Sequence, residues 1–315
     1  MPGFRREKLH SAEFFGPERD YWWNVDQLEL IASRLGAVRS VMDVGCGIGH
    51  WGRLLDSVLS SEATVIGVDR EGEWVSQARA IAEKRGLAGR LRYEQGVAEE
   101  LEFPDDSFDL VTCQTLLIHV HSPSAVIGEM LRVTKPGGVI LAAEPNNRAH
   151  LLIATAIDAE APIEDVLDLV RFALRCERGQ LALGEGHSSV GDLVPGYLAE
   201  QGAVEITTFL CDKPRMLVAP YASEEQQVLR SYALQEAEQN RWVWARDDAL
   251  RYFVAGGGRV EEFDAAWDRR LGEVRRRAAA LTDGSFHTAG GNIHYLIAAR
   301  RPSNHDPGAT RRARR

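Results

Sequence analysis

Two aspartates, a run of glycines, a histidine and a glutamate are the residues of this sequence whose types and spacing could do chemistry. In S-V-M-D-V-G-C-G-I-G-H-W-G, residues 40–52, four glycines stand directly behind the apolar Val41, Met42 and Val44. Glycines behind a buried strand permit a tight turn and a close approach of backbone to ligand. His50, Trp51, Leu54 and Leu55 open a helix-spaced apolar pattern. The loop therefore joins a strand end to a helix N-terminus, where an open parallel sheet holds nucleotide-like ligands. Asp69 ends a second apolar run, and a carboxylate there can accept both hydroxyls of a ribose. His119 follows a fourth apolar run and Glu144 ends a fifth. An imidazole at that place is suited to general-base work near neutral pH.

The glycines admit competing readings. Gly47, Gly49 and Gly52 satisfy G-x-G-x-x-G, a dinucleotide fingerprint that is weak by itself, and a glycine-rich turn without a ligand is the structural alternative. Asp43-x-Gly45-x-Gly47-x-Gly49 is a longer pattern on the same residues. It resembles the first motif of class I S-adenosylmethionine-dependent methyltransferases. A pyrophosphate needs bare backbone beside it, whereas S-adenosylmethionine has no phosphate and carries an ammonium and a carboxylate. Asp43 suits the cationic methionine part, directly or by holding the loop, and would be a poor neighbour for a pyrophosphate.

The resemblance becomes specific further along. E-L-E-F-P-D-D-S-F-D-L-V (residues 100–111) and L-R-V-T-K-P-G-G (131–138) follow the two acidic strand ends in the family's order and spacing, and the likeness covers residues 41 to about 144. It implies S-adenosyl-L-methionine as cofactor and a set of residues around it. These are Asp43, Gly45, Cys46, Gly47 and Gly49 in the loop, Asp69 at the ribose, Arg70 and Trp74 at the next helix, Val97 and Ala98 after the third strand, and Gln114 beneath the methyl donor. Trp74 reads either as a cover for the adenine or as ordinary helix packing. One triplet departs from the family. Where such enzymes often carry Gly-Asp-Ala, whose aspartate accepts from the adenine amino group, this chain has Gly96-Val97-Ala98. Val97 offers apolar contact and backbone groups only, so Glu99 or Glu100 would have to substitute.

The elements that must position these residues can be read in order. Asn24 reads as the N-cap of a helix that Gly36 ends. The aromatics before it, Tyr21, Trp22 and Trp23, pack that helix or wall the cofactor, which makes Tyr21 and Trp22 candidate acceptor contacts. Strands are expected over residues 41–44, 63–68, 91–96, 108–113 and 139–143. Helical insertions follow at 151–157 and 163–174, then a core helix and strand at 190–201 and 204–210, a charged helical stretch at 223–281, and a last strand at 293–300. Trp242, in that helical stretch, is a third candidate acceptor contact. The expected fold class is α/β: a doubly wound, Rossmann-like seven-stranded sheet with an inserted helical cap, whose last strand runs antiparallel by the family's architecture. As domains this gives an N-terminal aromatic arm and helix (1–36), a cofactor-binding core (37–147), a helical insertion (148–187), a core helix and strand (188–211), a helical cap (212–284), a last core strand (285–301) and a basic tail expected to be disordered (302–315).

Composition bounds the function. The 315 residues are 44% hydrophobic, enough for one large domain or a domain with an elaborate lid. A formal charge of -9 argues against a nucleic-acid partner, which would need a clustered basic face. Cys46, Cys113, Cys176 and Cys211 form no C-x-x-C pair, so neither a zinc site nor a disulfide framework is expected. No acid cluster suggests any other metal. The start lacks an apolar signal core and no apolar run approaches about 20 residues, so the expectation is a cytoplasmic protein with no membrane partner. Oligomeric state is left open.

Methyl transfer from a sulfonium is an in-line displacement, to which a protein contributes alignment and exclusion of water. A base is needed only where the acceptor must lose a proton early. His119 reads as that base or as a cap of the following helix, and Glu144 as a group that orients an acceptor or as an anchor for the loop. His187 and His287, in loop-like stretches, are weaker candidates. The expected function is methyl transfer to an oxygen or nitrogen of a small organic acceptor. A protein or nucleic-acid methyltransferase and a non-catalytic S-adenosylmethionine-binding protein are the alternatives.

Overall fold

The structure, a computed structural model, describes residues 16–303 except 160, 212 and 292; most of the basic tail and the start of the aromatic arm lie outside the described residues. The described residues divide into a sheet unit (23–150, 184–211 and 293–303) and a helical unit (16–22, 151–159, 161–183 and 213–291).

In the sheet unit, β1 (Ser40–Val44), β2 (Thr64–Asp69), β3 (Leu91–Gln95), β4 (Phe108–Gln114), β5 (Thr134–Pro145), β6 (Val204–Leu210) and β7 (His294–Arg300) form one seven-stranded sheet in the order 3-2-1-4-5-7-6. The first five are parallel, and β7 runs antiparallel between β5 and β6. This is the expected Rossmann-like sheet. Strand order reverses between β1 and β4, which opens a crevice at their carboxyl ends. The central strands are near-continuous apolar runs because helices cover both faces; Val41, Met42, Val44, Leu110, Val111, Ile140 and Leu141 are all fully buried.

The chain's helices are α1 (Val25–Leu35), α2 (His50–Val58), α3 (Gly72–Lys84), α4 (Pro123–Val133), α5 (Asn147–His150), α6 (Ile163–Ala182), α7 (Val194–Glu200), α8 (Glu224–Glu238), α9 (Arg246–Ala255) and α10 (Val260–Asp283). Their starts follow side-chain chemistry. Asn24 accepts from the Asp26 amide at 3.1 Å to begin α1, and Ser122 accepts from Ala125 with Pro123 at the first position of α4.

Two stretches differ from expectation. Residues 151–157 form turns and no helix: the Thr155 hydroxyl binds Asp158, a local alternative that competes with helical bonding. Helix then starts after Pro162 and runs to Ala182, past the expected end at 174. Strand β5 begins at Thr134, before the expected 139, because Thr134 pairs with Phe108 and the pairing resumes only at Leu110 with Val139. Lys135, Pro136, Gly137 and Gly138 are absorbed as an irregularity that needs no ladder bond from proline.

The helical unit contains α6, α8, α9 and α10. Phe172, Trp244, Tyr252, Phe253, Phe263 and Trp267 form its aromatic core, with Phe263 stacked on Trp267 at 6.0 Å. Helices α6 and α9 touch through glycine: a Cβ on Gly179 would stand 1.7 Å from the Tyr252 carbonyl.

In the sheet unit, Asp109 fastens the start of β1 to β4. One carboxylate oxygen accepts from the amides of Arg39 (3.0 Å) and Ser40 (2.9 Å) and from the Ser40 hydroxyl, while the other binds Lys135 at 2.7 Å. Burial opposes the charge, yet the bonds from Lys135, Ser40 and Arg39 outweigh it and hold the carboxyl at about 2. A depressed carboxyl stabilises the fold above the ordinary carboxylate range, and that stability is lost as pH falls toward 2. Asp109→Ala should therefore lower unfolding stability by about 1–2 kcal/mol at neutral pH, and the deficit relative to wild type should shrink in denaturant titrations at about pH 3.

Candidate active site

The glycine loop is held by two buried carboxylates. The N–H groups of Gly45 and Cys46 both donate to the Val68 carbonyl, at 2.8 and 3.0 Å, which ties the loop to the end of β2. Gly45, Gly47 and Gly49 have φ of +69°, +51° and +77°, a region costly for other residues. Space is also closed: a Cβ on Gly45 would stand 2.6 Å from the Leu116 side chain, and one on Gly49 2.4 Å from the Tyr93 hydroxyl.

Asp43 is 1% exposed, and its Oδ2 accepts from the Gly52 amide in α2 at 3.1 Å. That bond fits the role of holding the loop, while Oδ1 has no hydrogen-bond partner among the described residues. Asp69 Oδ2 accepts from the Gly47 amide at 2.8 Å and Oδ1 from the Glu71 amide at 3.0 Å. Each carboxylate oxygen keeps a further lone pair for a ligand hydroxyl. Burial raises the Asp43 carboxyl to about 8 against the pull of the Gly52 amide, with Asp69 adding to the rise. Burial likewise raises Asp69.

The rim residues follow. Cys46 is buried, with burial raising its thiol. Arg70 is largely exposed and ion-paired with Glu71 at 3.5 Å. Trp74 is half-buried at the start of α3. Val97 is exposed, while Ala98 packs on the core. Glu99 and Glu100 are both exposed. Gln114 is buried, and its Nε2 has no hydrogen-bond partner among the described residues. A buried donor of this kind costs about 1–3 kcal/mol until something accepts from it, which suits a ligand at the end of β4. Trp51, in the glycine loop's helix, is buried and donates to Thr112 at 2.9 Å; it packs on Trp23 at 5.3 Å.

The turn after β4 carries His119, half-buried at the end of the 3-10 turn Leu117–His119. Thr115 begins that turn at φ +50°, a strained conformation for a β-branched residue. Glu144, fully buried, holds the turn: its Oε1 accepts from the amides of Leu116 and Leu117, each at 2.9 Å. Glu144 is thus the loop's anchor. Burial lifts its carboxyl to about 7, outweighing those amides.

A second support for the turn is invisible in the sequence pattern. The His187 amide donates to the Ile118 carbonyl at 3.1 Å. Gly186, at φ +102°, lies where a Cβ would stand 2.0 Å from that same carbonyl. Arg148 reaches His187 Nε2 at 3.4 Å, and Asn147 donates to the Ser188 carbonyl. G-E-G-H-S-S marked a loop, but nothing in its spacing pointed back to β4. Tyr21, Trp22 and Trp242 belong to the helical unit. There Arg19 lies over Trp22 at 4.8 Å, and Trp242 sits between Trp244 (5.1 Å) and Arg270 (4.7 Å).

Among the described residues no group of histidine, cysteine and acidic side chains could hold a metal ion, and no helix is long and apolar enough to cross a membrane. Residues 37–183 match the family model described as a methyltransferase domain. This stretch is a class I S-adenosylmethionine-dependent methyltransferase domain. YcgJ of Bacillus subtilis, an uncharacterised methyltransferase, is 33% identical over 159 residues, which are 50% of this chain and 56% of that protein. The ubiquinone/menaquinone biosynthesis C-methyltransferase UbiE of Stutzerimonas stutzeri is 32% identical over 137 residues, 44% of this chain and 53% of that protein. The chain spans about half the length of these two relatives. The solved structure of YcgJ has a TM-score of 0.46 at 19% identity and covers 89% of this chain and 99% of that one.

The raised carboxyls of Asp43 and Glu144 set a pH dependence. Folded Asp43 and Glu144 keep protons that the unfolded chain releases in the ordinary carboxylate range, so stability is highest below that range and falls as pH rises through about 7 and 8. Melting of the ligand-free protein should drop between about pH 5 and pH 8. Asp43→Asn and Glu144→Gln should each flatten that decline in calorimetric scans.

Proposed function

We propose that the protein transfers the methyl group of S-adenosylmethionine to an oxygen or nitrogen of a small organic acceptor. The observation that carries the reading is the glycine loop fastened by Asp43 and Asp69, beside the buried, unpartnered amide of Gln114. When bound, the cofactor supplies a methyl group already activated on a sulfonium. Asp69 then receives the ribose hydroxyls, Asp43 keeps the loop in place, and Val97 with Ala98 lies against the adenine. Arg70 and Trp74 flank that pocket in this reading. Gln114 donates to a polar atom of the methionine part. Where the acceptor bears a proton, His119 takes it, and Glu144 holds the turn that presents His119.

Tyr21, Trp22 and Trp242 are the aromatic contacts of the acceptor in this reading. The formal charge of -9 favours a small molecule over a nucleic acid. Four cysteines that form no disulfide among the described residues suit a reducing, cytoplasmic compartment. The relative UbiE is named a C-methyltransferase, so a carbon acceptor is the competing outcome, distinguished by locating the labelled methyl in the product.

Calorimetric titration with S-adenosylmethionine, S-adenosylhomocysteine and NAD tests the cofactor: micromolar binding of the first two and none of NAD is expected. Asp69→Ala should weaken S-adenosylmethionine binding about tenfold or more, since charge-assisted hydrogen bonds are lost; unchanged affinity would refute the ribose assignment. His119→Ala should leave that affinity unchanged and slow transfer to a protonated acceptor by about 100-fold.

A further inference from the structure

Helix α6 carries an apolar stripe that its own protomer leaves uncovered. Ile163, Leu167, Leu174 and Leu181 are 74%, 45%, 39% and 54% exposed, and Val170 is half-buried among them. The opposite face is filled: Phe172, Cys176 and Gly179 are buried in the helical unit. Positions 163, 167, 170, 174 and 181, with 177 between the last two, alternate in steps of four and three. That is the repeat of a helix-pairing seam. Isolated exposed leucines are normal, but a stripe of them on one helix face, broken here only by the buried Glu177, marks an interaction surface.

Charge beside the stripe identifies the occupant. Glu164, Arg171 and Arg178 recur every seven residues along one flank, all three exposed, acidic at the start of the helix and basic toward its end. A second α6 laid antiparallel would put Glu164 of each copy beside Arg178 of the other. Ile163 would then meet Leu181, and Val170 would meet Leu174. Arg171 falls at the two-fold axis, where it would face its own copy, and Asp168 already neutralises it with an ion pair at 2.5 Å. The only seam position without an apolar side chain is Glu177, which is 4% exposed and buried in its own protomer. A parallel pairing gains nothing from these charges, because the other flank carries Val166, Ala173 and Gln180. An anionic bilayer is disfavoured by Glu164 and Asp165 next to Ile163, the most exposed residue of the stripe.

We infer that two copies of this chain associate through α6, antiparallel and with two-fold symmetry, each burying the other's apolar stripe. Such an interface is isologous, so every contact occurs twice. Twenty residues give a seam about 30 Å long.

Sedimentation equilibrium of the full chain tests this. The expected mass is twice the 34.9 kDa of one chain. Leu174→Glu should reduce it to that of a single chain while circular dichroism stays that of the wild type, because the side chain it replaces is exposed in the single chain. Glu164→Arg should weaken association about tenfold, since two attractive pairs become repulsive, and adding Arg178→Glu should restore it. A monomeric wild type, a dimer that survives Leu174→Glu, or a double exchange that fails to restore association would each overturn the inference. Flotation of the wild type, but not of Leu174→Glu, with phosphatidylcholine/phosphatidylglycerol vesicles would assign the face to lipid instead and also overturn it.

Discussion

The methyltransferase domain depends on burying two carboxylates against backbone N–H groups of one glycine loop. Asp43 reaches the Gly52 amide and Asp69 reaches the Gly47 amide. The first holds the helix that follows the turn and the second holds the middle of the turn itself, whose Gly45, Gly47 and Gly49 sit in the left-handed region. Backbone in that region has few ways to satisfy its own donors, and each of these side-chain oxygens supplies an acceptor inside a low-dielectric site. Burial works against both charges, as the upward shift of Asp43 to about 8 records. The loop is therefore organised at the expense of stability, a common bargain where a site must be ready before its ligand arrives.

The same device recurs one strand away. Thr115 is strained, and the turn after it is fixed from two directions, by Glu144 at the end of β5 and by the Gly186–His187 backbone. Strain of order 1–3 kcal/mol persists only where surrounding structure over-determines it. Here two amides on one glutamate oxygen and an amide on the Ile118 carbonyl supply that determination. The carboxyl ends of β1, β2, β4 and β5 thus each contribute a polar side chain, and three of those four are acids used on backbone.

The helical unit is built on different physics. Its core is aromatic, with rings at 5–6 Å spacing, and its closest helix contact relies on Gly179. Arginines lie over several of the rings, including Trp242 and Phe253, a contact that combines apolar burial of the stem with attraction to the ring face. Trp242, proposed as an acceptor contact, is also a member of this packing.

What the sequence determined by itself was whatever is local or periodic. Continuous apolar runs specified buried parallel strands, Asn24 and Ser122 specified helix starts, and the glycine spacing specified a loop that other residues would strain. Asp43 and Asp69 were legible as candidate site residues because they stand at or beside the ends of apolar runs. Tertiary structure alone decided what their oxygens do, since whether a carboxylate meets a ligand or an amide depends on which backbone folds over it. It also decided that Glu144 is an anchor, that residues 151–157 turn instead of coiling, and that Gly186 and His187 return to a turn dozens of residues earlier. Such contacts leave no trace in spacing, because closing a long loop places residues together without requiring any repeat between them.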